Sequence, residues 1–163
     1  MNKNILTITI TFIVVFLSSC KKEAEVGGTA VQSLAGDWFV EDMSDLGNFY
    51  HLTTYNTAAN LATEMWLDDN GSGWTPTGSA FKGKISADVS NLTFSATNAT
   101  NTNTAYPITL TIKNGKIIKK GTKGPESKSP TDSIYFEVVF SSQPTTTYKM
   151  SGYKRTGFEE DEH

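Results

Sequence analysis

The side chains able to do chemistry are few in this chain: Cys20, His51, Glu64 and the adjacent Asp68 and Asp69. Nucleophilic hydrolysis needs a base within reach of a serine, threonine or cysteine, and a third group to orient the base. Cys20 is the single cysteine, and no Gly-x-Ser-x-Gly turn occurs. His51 is the base candidate, with Asp42 or Asp45 as its orienting acid, since the other histidine, His163, is terminal. Carboxylates offer a second route. On a strand Asp68 and Asp69 point to opposite faces, whereas Glu64 and Asp68 share one, as a glycosidase-like pair would require. Asp68, Asn70 and Ser72 alternate as in the first half of a calcium loop, but Ser79 stands where the bidentate acid belongs. A turn is therefore expected there, with no metal and no cofactor.

The surroundings of Cys20 draw it away from catalysis. Lys3 precedes an apolar run from Ile5 to Leu17, too short for the ~20 residues that span a bilayer. Leu17-Ser18-Ser19-Cys20 closes that run and resembles the lipobox of bacterial lipoproteins, which implies cleavage before Cys20 and acylation of its thiol. Two or three acyl chains at roughly 0.8 kcal/mol per methylene make a firm anchor. Residues 1–19 are read as signal peptide, 20–34 as a tether on the lipid-anchored cysteine, 35–158 as one domain, and 159–163 as a solvated acidic tail. The implied address is the cell envelope, at the outer membrane, facing either the periplasm or the surface. Lys21-Lys22-Glu23 is similar to surface-export signals of Bacteroidota lipoproteins.

The elements that would position these residues are strands. Period-two alternation runs from Asp37 onward, most plainly over Phe81–Val89, where Phe81, Gly83, Ile85, Ala87 and Val89 share a face. Other strands are expected over residues 37–43, 48–55, 63–68, 92–96, 108–112, 134–140 and 146–155. Thr57–Asn60 reads as a turn of helix, Asn114-Gly115 as a hairpin into 116–120, and Thr97–Ala105 as an exposed loop. About eight closely spaced strands without a long helix predict an all-β antiparallel barrel, because closure removes exposed edges. The formal charge of −3 becomes −4 once Lys3 leaves with the signal (−3 − 1), and the lysines form no stripe, so nucleic acid is excluded as a partner.

Gly36-Asp37-Trp38 resembles the Gly-x-Trp motif of lipocalins, whose tryptophan closes one end of an eight-stranded barrel beneath a late arginine. The resemblance implies barrel-closing roles for Trp38 and Arg155. Thr54-Tyr55-Asn56-Thr57-Ala58-Ala59-Asn60, Glu64-Met65-Trp66-Leu67-Asp68-Asp69 and Gly152-Tyr153-Lys154-Arg155-Thr156-Gly157-Phe158 resemble a Bacteroidota family of lipocalin-like lipoproteins called lipid-binding putative hydrolases. That resemblance implies a calyx and a small hydrophobic ligand or lipid. Aromatics set beside small residues suggest the cavity wall: Trp66, Phe81, Tyr148 and Met150. Hydrolysis of lipid esters or glycans, and a non-enzymatic scaffold or protein-binding module, remain the alternatives, and no protein partner is identified.

Overall fold

In a computed structural model, residues 28–163 are described. Eight strands follow in order: β1 (Gly36–Asp42), β2 (Asp45–Asn56), β3 (Glu64–Asp68), β4 (Lys82–Asp88), β5 (Thr93–Thr100), β6 (Thr109–Lys123), β7 (Pro130–Phe140) and β8 (Tyr148–Lys154). Each pairs antiparallel with the next, and β8 returns to β1, so the sheet is a closed barrel. Alternation is the cause. Along β4, Gly83 and Ile85 are buried and Lys84 and Ser86 exposed, and along β7, Ile134, Phe136, Val138 and Phe140 turn inward.

Up-and-down order gives the barrel two different ends. Residues 28–35, 57–63, 89–92, 124–129 and 155–163 gather at one, and links 43–44, 69–81, 101–108 and 141–147 at the other, called the mouth below. The first end is closed by a short turn, in which Leu34 N–H donates to Val31 O (2.8 Å) and Gln32 N–H to Thr29 O (3.0 Å). Val31 and Leu34, three residues apart, thereby share a side and are fully buried in the core. The tether expected up to residue 34 is thus corrected, because these two side chains belong to the folded domain. Trp38 is wholly buried here; its indole N–H donates to Thr54 Oγ1 (2.9 Å), and the Thr54 hydroxyl to Leu34 O (2.6 Å).

The cation over Trp38 is Lys154 rather than Arg155. Lys154 is the register partner of Trp38; its Nζ lies 6.0 Å from the ring centroid and donates to Ala35 O at 3.2 Å. Arg155, one residue later, points to the other side, toward Asp37 (3.8 Å) and Glu162 (2.6 Å). A one-residue offset inverts the face, and the sequence spacing alone did not separate the two positions.

Asn114-Gly115 is not a hairpin but a bulge within the long β6, where the register against β7 slips between Lys113 and Lys116. Asn114 takes φ +55°, and a Cβ on Gly115 would come within 2.3 Å of Phe94 O on β5. The same left-handed geometry serves a bulge as well as a turn, and here it bends β6 around the barrel. Residues 57–60 form a turn, closed by Asn60 N–H to Thr57 O (3.0 Å), rather than a helix. Of the exposed loop expected at 97–105, residues 97–100 are instead the end of β5 and Asn101 is buried, while 102–105 form an exposed link.

Replacing Trp38 by Ala removes a fully buried aromatic side chain, for which a loss of about 3–5 kcal/mol is expected. Urea denaturation of both proteins measures it; an unchanged midpoint would contradict the closure described here.

Candidate functional site

The mouth is built by the 69–81 link. Asp69 Oδ1 accepts the Gly71 N–H (3.0 Å) and Asp68 Oδ1 the Asn70 N–H (3.1 Å), so the acidic run makes tight turns. Gly71 and Gly73 take φ +74° and +78°, which a side chain would resist, and they carry the chain back over the barrel. Trp74 is thereby laid edge-on against Phe140 (5.3 Å between centroids), Phe136 (5.8 Å) and Phe81 (6.4 Å), and is 6% exposed. The link is closed by Asp69 N–H to Phe81 O (3.0 Å) and the Thr75 hydroxyl to Ser79 O (2.7 Å). Asn101 ties it to the 101–108 link, its amide donating to Ala80 O (2.9 Å) and Tyr106 O (3.0 Å) while its oxygen accepts the Lys82 N–H (3.0 Å).

Polar atoms are buried at this end without a hydrogen bond to the described residues: Asp69 Oδ2, Ser72 Oγ, Trp74 Nε1 and Tyr106 Oη. Burial pushes the Asp69 carboxyl up and the Asp68 charge adds to it, against the opposing Gly71 N–H.

Below Trp74 the barrel is filled. Leu52, Met65, Leu67, Phe81, Phe136 and Val138 have no accessible surface, which leaves no water-sized void against them. Phe81 and Met150 belong to the buried core. Small neighbours open no space, however: the Phe81 ring lies over Gly83, where a Cβ would meet it at 2.5 Å. Tyr148 sits half-buried at the rim, edge-on to Phe140 (5.8 Å), its hydroxyl bound to Gln143. Trp66 is corrected: it alternates with the buried Met65 and Leu67 and so faces outward, under Lys82 (5.3 Å) and Lys84 (5.8 Å).

Residues 23–159 match the model of the family described as "Lipid-binding putative hydrolase". The chain belongs to that family. No curated protein matches it.

The family's name joins lipid binding to hydrolysis, and the catalytic candidates His51 and Glu64 lie on the outer face of the barrel wall. His51 Nε2 lies 3.0 Å from Asp37 Oδ1, not at Asp42 or Asp45, because β2 sets His51 opposite Phe39 on the outer wall. Among the described residues no hydroxyl is hydrogen-bonded to that imidazole. Glu64 also faces outward, with Trp66 between it and Asp68. The Thr57 hydroxyl (2.6 Å), then Lys84 (3.2 Å), hold the Glu64 carboxyl below its ordinary value, the opposite of what a general acid needs. Asp68 is occupied by the Tyr55 hydroxyl (2.8 Å) and Lys82 (3.4 Å). Cys20 lies outside the described residues.

Glu159, Glu160 and His163 of the acidic tail are exposed as expected, but Asp161 is not solvated. Asp161 is 1% exposed and accepts the N–H groups of Glu126 (2.8 Å) and Ser127 (2.9 Å) and the hydroxyls of Ser127 (2.5 Å) and Thr156 (2.6 Å). Tyr153 donates to Asp161 O (2.8 Å), and burial, with the charges of Asp161, Glu162 and Glu41, pushes its phenol up to about 12. His163 stacks on Phe49 (3.9 Å) and stands edge-on to Phe39 (5.2 Å). Five acidic and basic letters in a row gave no sign of this docking; both N–H donors come from a link 34 and 35 residues away.

Trp74, Asn101 and Asp161 were not legible as site residues from spacing. The one available signal was the placing of bulky aromatics, Trp74 and Tyr106, inside polar, glycine- or asparagine-rich links that offer no strand to bury them.

Burial alone would raise the Asp161 carboxyl, but the Ser127 and Thr156 hydroxyls and the two N–H groups outweigh it and hold it well below the carboxylate range. A folded value below the unfolded ~3.9 makes docking of the tail strongest above that pH and weakens it as the pH falls toward the folded value. Hydrogen exchange should show the Glu126 and Ser127 amides protected at pH 7 and faster in Asp161→Asn, with the strands unchanged. Equal protection in the two proteins would refute the hub.

Proposed function

We propose that this protein binds one lipid or other apolar molecule inside the barrel, admitted at the mouth when Trp74 withdraws. The carrying observation is that the uppermost part of the core comes from a link and not from a strand. A strand residue cannot leave without breaking the ladder, whereas Trp74 leaves by movement of residues 69–81 alone. The family match supports a lipid as the ligand. Exposed Leu46 (70%) and Met43 (51%), at the β1–β2 turn on the same end, offer an apolar approach.

Magnitudes set the ligand's size. Exposing a tryptophan of about 150–250 Å² at ~25 cal/mol per Å² costs about 4–6 kcal/mol. At ~0.8 kcal/mol per buried methylene, about five to eight methylenes offset that, and a longer acyl chain gives net affinity. Ligand binding stands ahead of hydrolysis because a mobile mouth would give a ligand a route, while among the described residues the His51 imidazole is hydrogen-bonded to Asp37 and to no hydroxyl. Native mass spectrometry and titration with an apolar fluorophore test the reading. Trp74→Ala should bind the fluorophore at least tenfold more tightly than the wild type, and chains shorter than about eight carbons should compete poorly. Failure of both proteins to take up fluorophore or lipid would leave a filled, scaffold-like barrel and overturn the proposal.

Acylation of Cys20, with anchoring at the outer membrane of a bacterial envelope, completes the proposal; it is supported by the Leu17-Ser18-Ser19-Cys20 pattern. Cys20→Ala should move the protein from the membrane to the soluble fraction, and a variant that stays membrane-bound would count against the anchor.

A further inference from the structure

The unpartnered polar atoms at the mouth form a chemically specific set. Asp69 Oδ2, Ser72 Oγ and Trp74 Nε1 come from the 69–81 link, and Tyr106 Oη comes from the 101–108 link that Asn101 ties to it. Asp69 is 1% exposed and Trp74 6%, so these are polar atoms removed from solvent rather than surface groups. Leaving them without hydrogen bonds is unfavourable, and their neighbours show that the same links satisfy polar groups elsewhere: Thr75 and Asn101 are both buried and both bonded. At the opposite end only Ser33 Oγ is left in this way among the described residues.

The set contains an indole N–H and a phenol O–H as donors, a serine hydroxyl able to do either, and a carboxylate oxygen as acceptor. It contains no lysine or arginine. Lys82, the residue that follows the 69–81 link, is paired outside the barrel with Asp68 at 3.4 Å. An anionic head would therefore face the Asp69 carboxylate without a compensating cation, whereas a hydroxyl could donate to it.

We propose that the mouth recognises the polar end of an uncharged, hydroxyl-bearing lipid, such as a glycerol monoester. Trp74 Nε1–H and Tyr106 O–H donate to its carbonyl, and its hydroxyl donates to the Asp69 carboxylate. The proposal rests on entry of an apolar chain at the mouth and adds the class of head that the chain carries.

The test is competition of 1-monopalmitoylglycerol and palmitate against a bound apolar fluorophore at pH 8, using the full chain. The glycerol ester should bind at least tenfold more tightly than palmitate. Tyr106→Phe, which keeps the ring, should weaken the ester five- to tenfold and leave the fluorophore unchanged; Asp69→Asn should narrow the preference by strengthening palmitate. Equal affinities for the two lipids in the wild type, or an effect of Tyr106→Phe on ester and fluorophore alike, would overturn head recognition while leaving entry at the mouth intact. Loss of fluorophore binding itself would overturn both.

Discussion

Everything in this molecule depends on the sheet closing on itself between β8 and β1. Closure sets Trp38 opposite Lys154, and the fully buried indole then holds β2 through Thr54 and, by way of the same hydroxyl, the carbonyl of Leu34. One hydrogen-bond chain thus links the first strand, the second strand and the turn that covers the end. Eight strands enclose a space just wide enough for side chains or one small ligand, so the choice between them rests on which residues point inward. Here they are mostly large: phenylalanines 81, 94, 136 and 140 with leucines, isoleucines and Met150. Glycine serves close approach rather than free volume. At Gly83 it makes room for the Phe81 ring, and at Gly115 it lets β6 come against the Phe94 backbone of β5.

A barrel so closed at one end concentrates its adaptability at the other. The strands are tied by ladders on both sides, and the tail is held to the 124–129 link through the buried Asp161. The mouth differs in kind. Its apolar cover includes an indole on a link with three glycines at positive φ, Gly71, Gly73 and Gly78, and some of its polar atoms are buried but unbonded. Low intrinsic stability of this link relative to the strands follows from that construction. It is also the condition for a filled barrel to become a binding protein.

Much of the fold was legible because alternation is written into each strand. The eight strands and the all-β class follow from apolar residues at every second position, and neighbouring strands in sequence pair in space. What alternation does not carry is phase across strands and the fate of links. Arg155 and Lys154 differ by one step, and only the register with Trp38 decides which of them faces inward. Trp66 looked like a wall residue by type, yet Met65 and Leu67 take the inner positions and leave it under two lysines. Asn114-Gly115 has the backbone preference of a turn, and the partner strands make a bulge of it. Trp74 and Asp161 are set by contacts with residues remote in sequence, which no local pattern contains.

The central claim is that Trp74 is a displaceable part of the core. The chain has three tryptophans, at 38, 66 and 74, so fluorotryptophan labelling gives three ¹⁹F resonances that selective substitution can assign. Addition of a long-chain lipid should move the Trp74 resonance strongly while Trp38, beneath the barrel, and Trp66, on its outer wall, stay nearly fixed. A lipid that binds while the Trp74 resonance remains unchanged, or that shifts Trp66 in its place, would contradict the account.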